Sequence, residues 1–181
     1  MRHVSLGILT LAALLGALPG AARAQNDAAL IRSALSAAPP SVADAATVAD
    51  HHGRILRQGT NGWVCLPDDP EAPNNSPMCL DAPWQVFMDA FMNKRTPSFN
   101  GVCFGYMLQG DFPVSNTDPF ATGPTADNQW VADSGPHVMM IVADPTLLEG
   151  LSTDPGNGVP WVMWKGTPYA HVMIPAVARP R

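Results

Sequence analysis

Two tripeptides in this chain repeat each other: His137-Val138-Met139 and His171-Val172-Met173. In a β-strand, residues i and i+2 face the same side, so each would present an imidazole together with a thioether. If the two strands are neighbours, His137, Met139, His171 and Met173 form a set of two nitrogens and two soft sulfurs. Thioethers select soft metals, which makes copper, as Cu(I), the ion to expect. Packing accounts for the same residues if Met139 and Met173 enter the core and the histidines close the strand ends. Four more methionines read as core. Met88 and Met92 lie on the apolar face of a helix, and Met107 and Met163 lie in apolar strand runs.

The other reactive side chains give weaker patterns. Ser134-Gly135-Pro136-His137 places a hydroxyl close to an imidazole in sequence, which leaves a small secreted hydrolase open, although catalytic triads are spatial arrangements. Asp111, Asp118, Asp127 and Asp133 are the oxygen donors a Ca²⁺ site would need, but their spacing matches no calcium loop. No Gly-x-Ser-x-Gly, phosphate-cradling glycine loop or His-Glu-x-x-His is present. Among Cys65, Cys79 and Cys103 three pairings are possible. Cys65 and Cys79 bracket a polar loop, and we expect them to be joined, with Cys103 a buried free thiol inside Val102-Cys103-Phe104.

The start of the chain sets the compartment. Arg2 and His3 precede an apolar run from Val4 to Leu18, and Ala22-Arg23-Ala24 has the small-x-small form of a cleavage site. This pattern is that of a secretory signal peptide over residues 1–24, and the run is too short to span a bilayer. The expected mature protein is periplasmic or extracellular, without a stable membrane anchor, in surroundings where disulfides persist. About 157 residues then remain, enough for one domain. Removing Arg2 and Arg23 leaves a net charge of about −7 and no basic stripe, which argues against nucleic acid as a partner. The partner left open is a small molecule or a protein.

The elements that must position these residues are short. The 19 prolines and 15 glycines point to a loop-rich domain. A helix is expected over Gln25–Ala38, followed by an Ala-rich linker to Ala46. Asn61-Gly62 is a hairpin signal between Ile55-Leu56 and the return strand Trp63–Leu66. Asp81 and Pro83 open a helix over Ala82–Lys94. In it Trp84, Phe87, Met88, Phe91 and Met92 share one face. Strands are expected at Val102–Leu108 and His137–Ala143, and as hairpin arms at Val159–Lys165 and Ala170–Ile174. Asp144-Pro145 opens a short helix. Together these predict an α+β fold, a mainly antiparallel sheet with a few short helices, over residues 47–181. A binding surface is expected as an exposed apolar patch around Trp130, Trp161 or Tyr169.

Four stretches carry a family resemblance: Gly59–Asp68, Pro77–Asp81, Gly135–Met139 and Trp164–His171. As a set they resemble a family of exported bacterial proteins of unknown function, over most of the chain from Val48 to Pro175. The resemblance implies secretion and one compact domain. The expected role is binding or another envelope-associated task.

Overall fold

The computed structural model describes residues 19–177. The apolar run Val4–Leu18 lies outside them. Helix α1 (Pro19–Leu35) starts upstream of the expected cleavage point, and a short helix α2 (Pro40–Ala43) follows. Next come strands β1 (Thr47–Ala49), β2 (Ile55–Arg57), β3 (Val64–Leu66) and β4 (Met78–Leu80), helix α3 (Ala82–Met92) and strand β5 (Val102–Met107). A two-stranded ribbon, β6 (Val114–Ser115) with β7 (Trp130–Val131), sits within the long loop. Strand β8 (His137–Val142), a 3₁₀ turn over Pro145–Leu148, β9 (Trp161–Met163) and β10 (His171–Pro175) complete the chain. One eight-stranded sheet has the order β2-β1-β3-β4-β5-β8-β10-β9. All its pairings are antiparallel except β1 with β3, so the fold is the expected α+β, weighted towards sheet.

That parallel pairing corrects the hairpin expected at Asn61-Gly62. Strands β2 and β3 do not pair; β1 lies between them, antiparallel to β2 and parallel to β3. The turn itself forms, with Gly62 at φ 78°. The approach to it is pinned to the segment before β1: the Thr60 and Asn61 amides both donate to the Ala45 carbonyl. Gly59 is required there, because a Cβ would lie 2.2 Å from the backbone of Ala46 and Thr47.

The Ala-rich segment after α1 is a packed wall. Ala34, Ala37, Ala43 and Ala46 are buried with Val48, Cys65 and Cys79 on one face of the sheet. Small side chains let α1 and its continuation approach the strands closely. Cys65 and Cys79 stand directly opposite each other on β3 and β4 and form the expected disulfide.

Helix α3 covers the opposite face. Asp81 caps it by accepting from the Trp84 amide at 2.8 Å, and Pro83 occupies the first turn. The same carboxylate accepts the Phe104 amide of β5 at 2.6 Å. Trp84, Phe87 and Ala90 are buried, whereas Met88 is half-buried and Met92 is 71% exposed. Both had been expected in the core. The face that α3 buries is narrower than the five apolar residues available to it.

The two halves of the sheet meet at β4 and β5 through only two residue pairs, Cys79 with Tyr106 and Leu80 with Gly105. No helix among the described residues is long and apolar enough to cross a membrane.

Candidate functional site

The α3-covered face of β5, β8, β10 and β9 carries the repeated tripeptides. β8 and β10 are antiparallel neighbours, and Met139 stands directly opposite Met173. His137 and His171 lie two residues from this pair on their own strands, but antiparallel pairing sends them to opposite ends. Their Cα atoms are consequently about 14 Å apart. Each imidazole faces another methionine across its outer neighbour: His137 opposite Met107 on β5, and His171 opposite Met163 on β9. The face therefore divides into two halves related by a local two-fold axis through the methionine pair, each half offering one imidazole and several thioethers. All six side chains are at most 7% exposed.

Both imidazoles are held alike. His137 Nδ1 lies 2.6 Å from the Gly135 carbonyl and His171 Nδ1 lies 3.0 Å from the Tyr169 carbonyl. A carbonyl only accepts, so Nδ1 carries the hydrogen in each case. In the neutral ring Nε2 then keeps its lone pair. This is how a metal-binding histidine is usually oriented from behind.

The surroundings of the two rings differ. His171 sits among aromatic edges, with ring centroids 4.9 Å from Trp164, 5.9 Å from Trp84 and 6.4 Å from Phe87. Burial pushes its pKa down to about 4, with repulsion from His137 acting the same way against the Tyr169 hydrogen bond. Trp164 adopts φ 55°, an unusual conformation for so bulky a residue. Its indole nitrogen donates to the Ser115 carbonyl at 2.7 Å, and its ring stacks on Phe91 at 5.2 Å. These contacts hold it edge-on to His171 despite the backbone strain. Trp84 lies over Gly105, where a Cβ would come within 2.9 Å of the Met139 methyl.

His137 is completely buried, and its Nε2 has no hydrogen-bond partner. The nearest charged group is Asp111, whose Oδ2 is 4.0 Å away. Asp111 is itself 3% exposed, and burial raises its carboxyl above the usual range. The attraction of His137, the Ser134 hydroxyl and the Phe112 amide pull in the other direction. Ser134, Asp111 and His137 thus converge, but the Ser134 hydroxyl bonds the carboxylate, and the imidazole does not stand between hydroxyl and acid as in a serine triad.

The remaining sequence candidates are dispersed or sealed. Asp133 lies beside Asp111, accepting its amide at 3.2 Å, whereas Asp118 and Asp127 line a separate cavity in the 117–128 loop. Among the described residues, no group of three or more His, Cys, Asp or Glu side chains is placed to hold a metal ion. Cys103 is buried, and burial together with the Asp81 charge pushes its thiol up to about 12, so it is inert as a nucleophile. Trp161 and Tyr169, expected in an exposed patch, are 0% and 4% exposed.

Sequence reasoning missed three contributors. Met107 and Met163 share the face but were assigned to packing alone, because only the register reveals which residues oppose the histidines. The third is Asn116, buried in the long loop. Its side chain links Gln129, the Thr153 carbonyl and the Trp161 indole, and so ties the loop beside β6 to β9.

The arrangement can present neutral imidazole nitrogen and thioether sulfur to a soft cation, with a carboxylate nearby to balance the charge. Compared with family models, curated proteins and solved structures, the chain finds no match.

Proposed function

We propose that this chain is an exported binding protein whose ligand is a soft monovalent metal ion, Cu(I), taken by the His–Met face. His137 Nε2 is the primary donor, with the thioethers of Met107, Met139 and Met173 around it. His171 and Met163 repeat the motif at the other end. The observation that carries the reading is the bare Nε2 of His137, fully buried beside methionines. An unsatisfied buried acceptor costs about 1–3 kcal/mol, and a bound cation removes that penalty. The Cys65–Cys79 disulfide and the secretory pattern at the N-terminus support export. Entry requires a local opening of the 109–136 segment, which brings Asp111 and Ser134 over the site.

The test is metal retention. The mature protein is loaded with Cu(I) kept reduced by ascorbate, desalted, and assayed for copper. Wild type is expected to hold metal, and His137→Gln to hold less, by the ion bound at His137, while keeping its circular dichroism spectrum. Wild-type protein that emerges free of copper refutes the reading.

A hydrolase using Ser134, His137 and Asp111 is the second reading, favoured by their convergence. It draws less support, because the hydroxyl is bonded to the acid and all three side chains are sealed from solvent.

A further inference from the structure

Helix α3 leaves part of its sheet face uncovered. Between its outer edge and the β1–β2 turn lies an open groove of about 460 Å³. Leu66 forms part of its floor, with Met78 directly opposite on β4. Met88 and Met92 line the helix side, one turn apart and therefore neighbours on the helix surface. His51 stands at the turn.

These are the methionines that α3 and β4 do not fully bury. Three of the eight methionines beyond Met1 gather in this one groove. His51 Nε2 lies 3.0 Å from the Pro67 carbonyl and so donates to it, which leaves Nδ1 with its lone pair in the neutral ring. The carboxylate in the lining, Asp50, is already engaged. It accepts the Arg54 and His52 amides and the Arg54 guanidinium. The donors that remain are one imidazole and three thioethers, with no thiol among them. Hard cations such as Ca²⁺ and Mg²⁺ require oxygen ligands, whereas thioethers favour soft monovalent ions.

We propose that His51, Met78, Met88 and Met92 form a solvent-facing site for a soft monovalent cation, separate from the buried His–Met face. Its geometry stands on different residues and on an open groove rather than the packed core, and only the choice of Cu(I) as the natural ion rests on the preceding reading. An open site of flexible thioethers suits capture and release, in contrast to the sealed face.

The experiment uses Ag(I), a redox-inert probe that leaves the disulfide intact, titrated into the mature protein with ¹³C-labelled methionine methyls. The methyl signals of Met78, Met88 and Met92 are expected to shift together. In Met88→Leu/Met92→Leu, which keeps the apolar surface, the Met78 shift and one bound ion are expected to be lost. His51→Ala is expected to weaken the same response. The proposal is overturned if these methyls do not move with Ag(I), or if the double variant binds as many ions with unchanged affinity. It is also overturned if the methyls respond to an apolar dye and not to silver. The two sites separate cleanly: loss of binding in His137→Gln with the groove shifts intact addresses only the buried face.

Discussion

Acid should destabilise the metal-free protein through His171, and the size of the effect follows from its surroundings. In the folded chain burial holds this imidazole at about 4, against an ordinary value of 6.5. Between those values the unfolded chain binds a proton that the folded chain refuses. Stability is therefore complete above the unfolded value and declines as the pH falls towards the folded one. A gap of about 2.5 pH units, at 1.36 kcal/mol per unit, gives a loss of about 3 kcal/mol by pH 4. Asp111 works in the opposite sense. Its raised carboxyl lets the folded state take up a proton first, so acid relieves a cost there. The net slope is consequently shallower than His171 alone would give. Urea unfolding followed by tryptophan fluorescence, at several pH values between about 7 and 4.5, reads the slope directly. His171→Gln should flatten it and Asp111→Asn should steepen it. If wild type and His171→Gln lose stability in parallel, the assignment to a buried neutral imidazole is wrong.

Three further outcomes are expected. Gly59→Ala should lower stability by about 3 kcal/mol or prevent folding, since the clash is with backbone that cannot rotate away; thermal melting checks this. Replacing Cys65 and Cys79 together by serine should cost about 3 kcal/mol in denaturant unfolding, and thiol titration of the native protein should find Cys103 unreactive until it is denatured. Asp81→Ala should cost about 1–2 kcal/mol, because one carboxylate both caps α3 and accepts the Phe104 amide. A melting temperature within a degree of wild type would show that neither bond matters.

The elements that could be read from sequence are those governed by local chemistry. Asp81 and Pro83 set the start of α3, and Asp144 with Pro145 sets the 3₁₀ turn, as expected. The cysteine pair followed from a bracketed loop. Strand pairing was legible only where a short loop joins the partners, as with β9 and β10 around Gly166. The insertion of β1 between β2 and β3 was not, because parallel pairing leaves no turn signature. The same limit applied to the site. Period-2 alternation put each histidine with its own methionine, but the strand register alone placed Met107 and Met163 beside them and separated the two imidazoles. Burial of Asp111 had no signal in a loop of ordinary polar composition. The exposure of Met92 had none either, since helical spacing reports a stripe without reporting how wide the facing sheet is.

The narrow join between β4 and β5 divides this sheet along the chain as well as in space. Everything from β1 to β4 comes from residues 47–80, and everything beyond from residues 102–175. The cluster under α1 draws mainly on the first half and the cluster under α3 mainly on the second, with Tyr106 and Leu80 reaching across the join. A molecule built this way has a crease. Amide exchange should be faster along it, at Leu80 and Gly105, than in the six-residue ladder between β5 and β8. Trp84 lies across the crease like a latch, and a pull that parts the halves must lift it first.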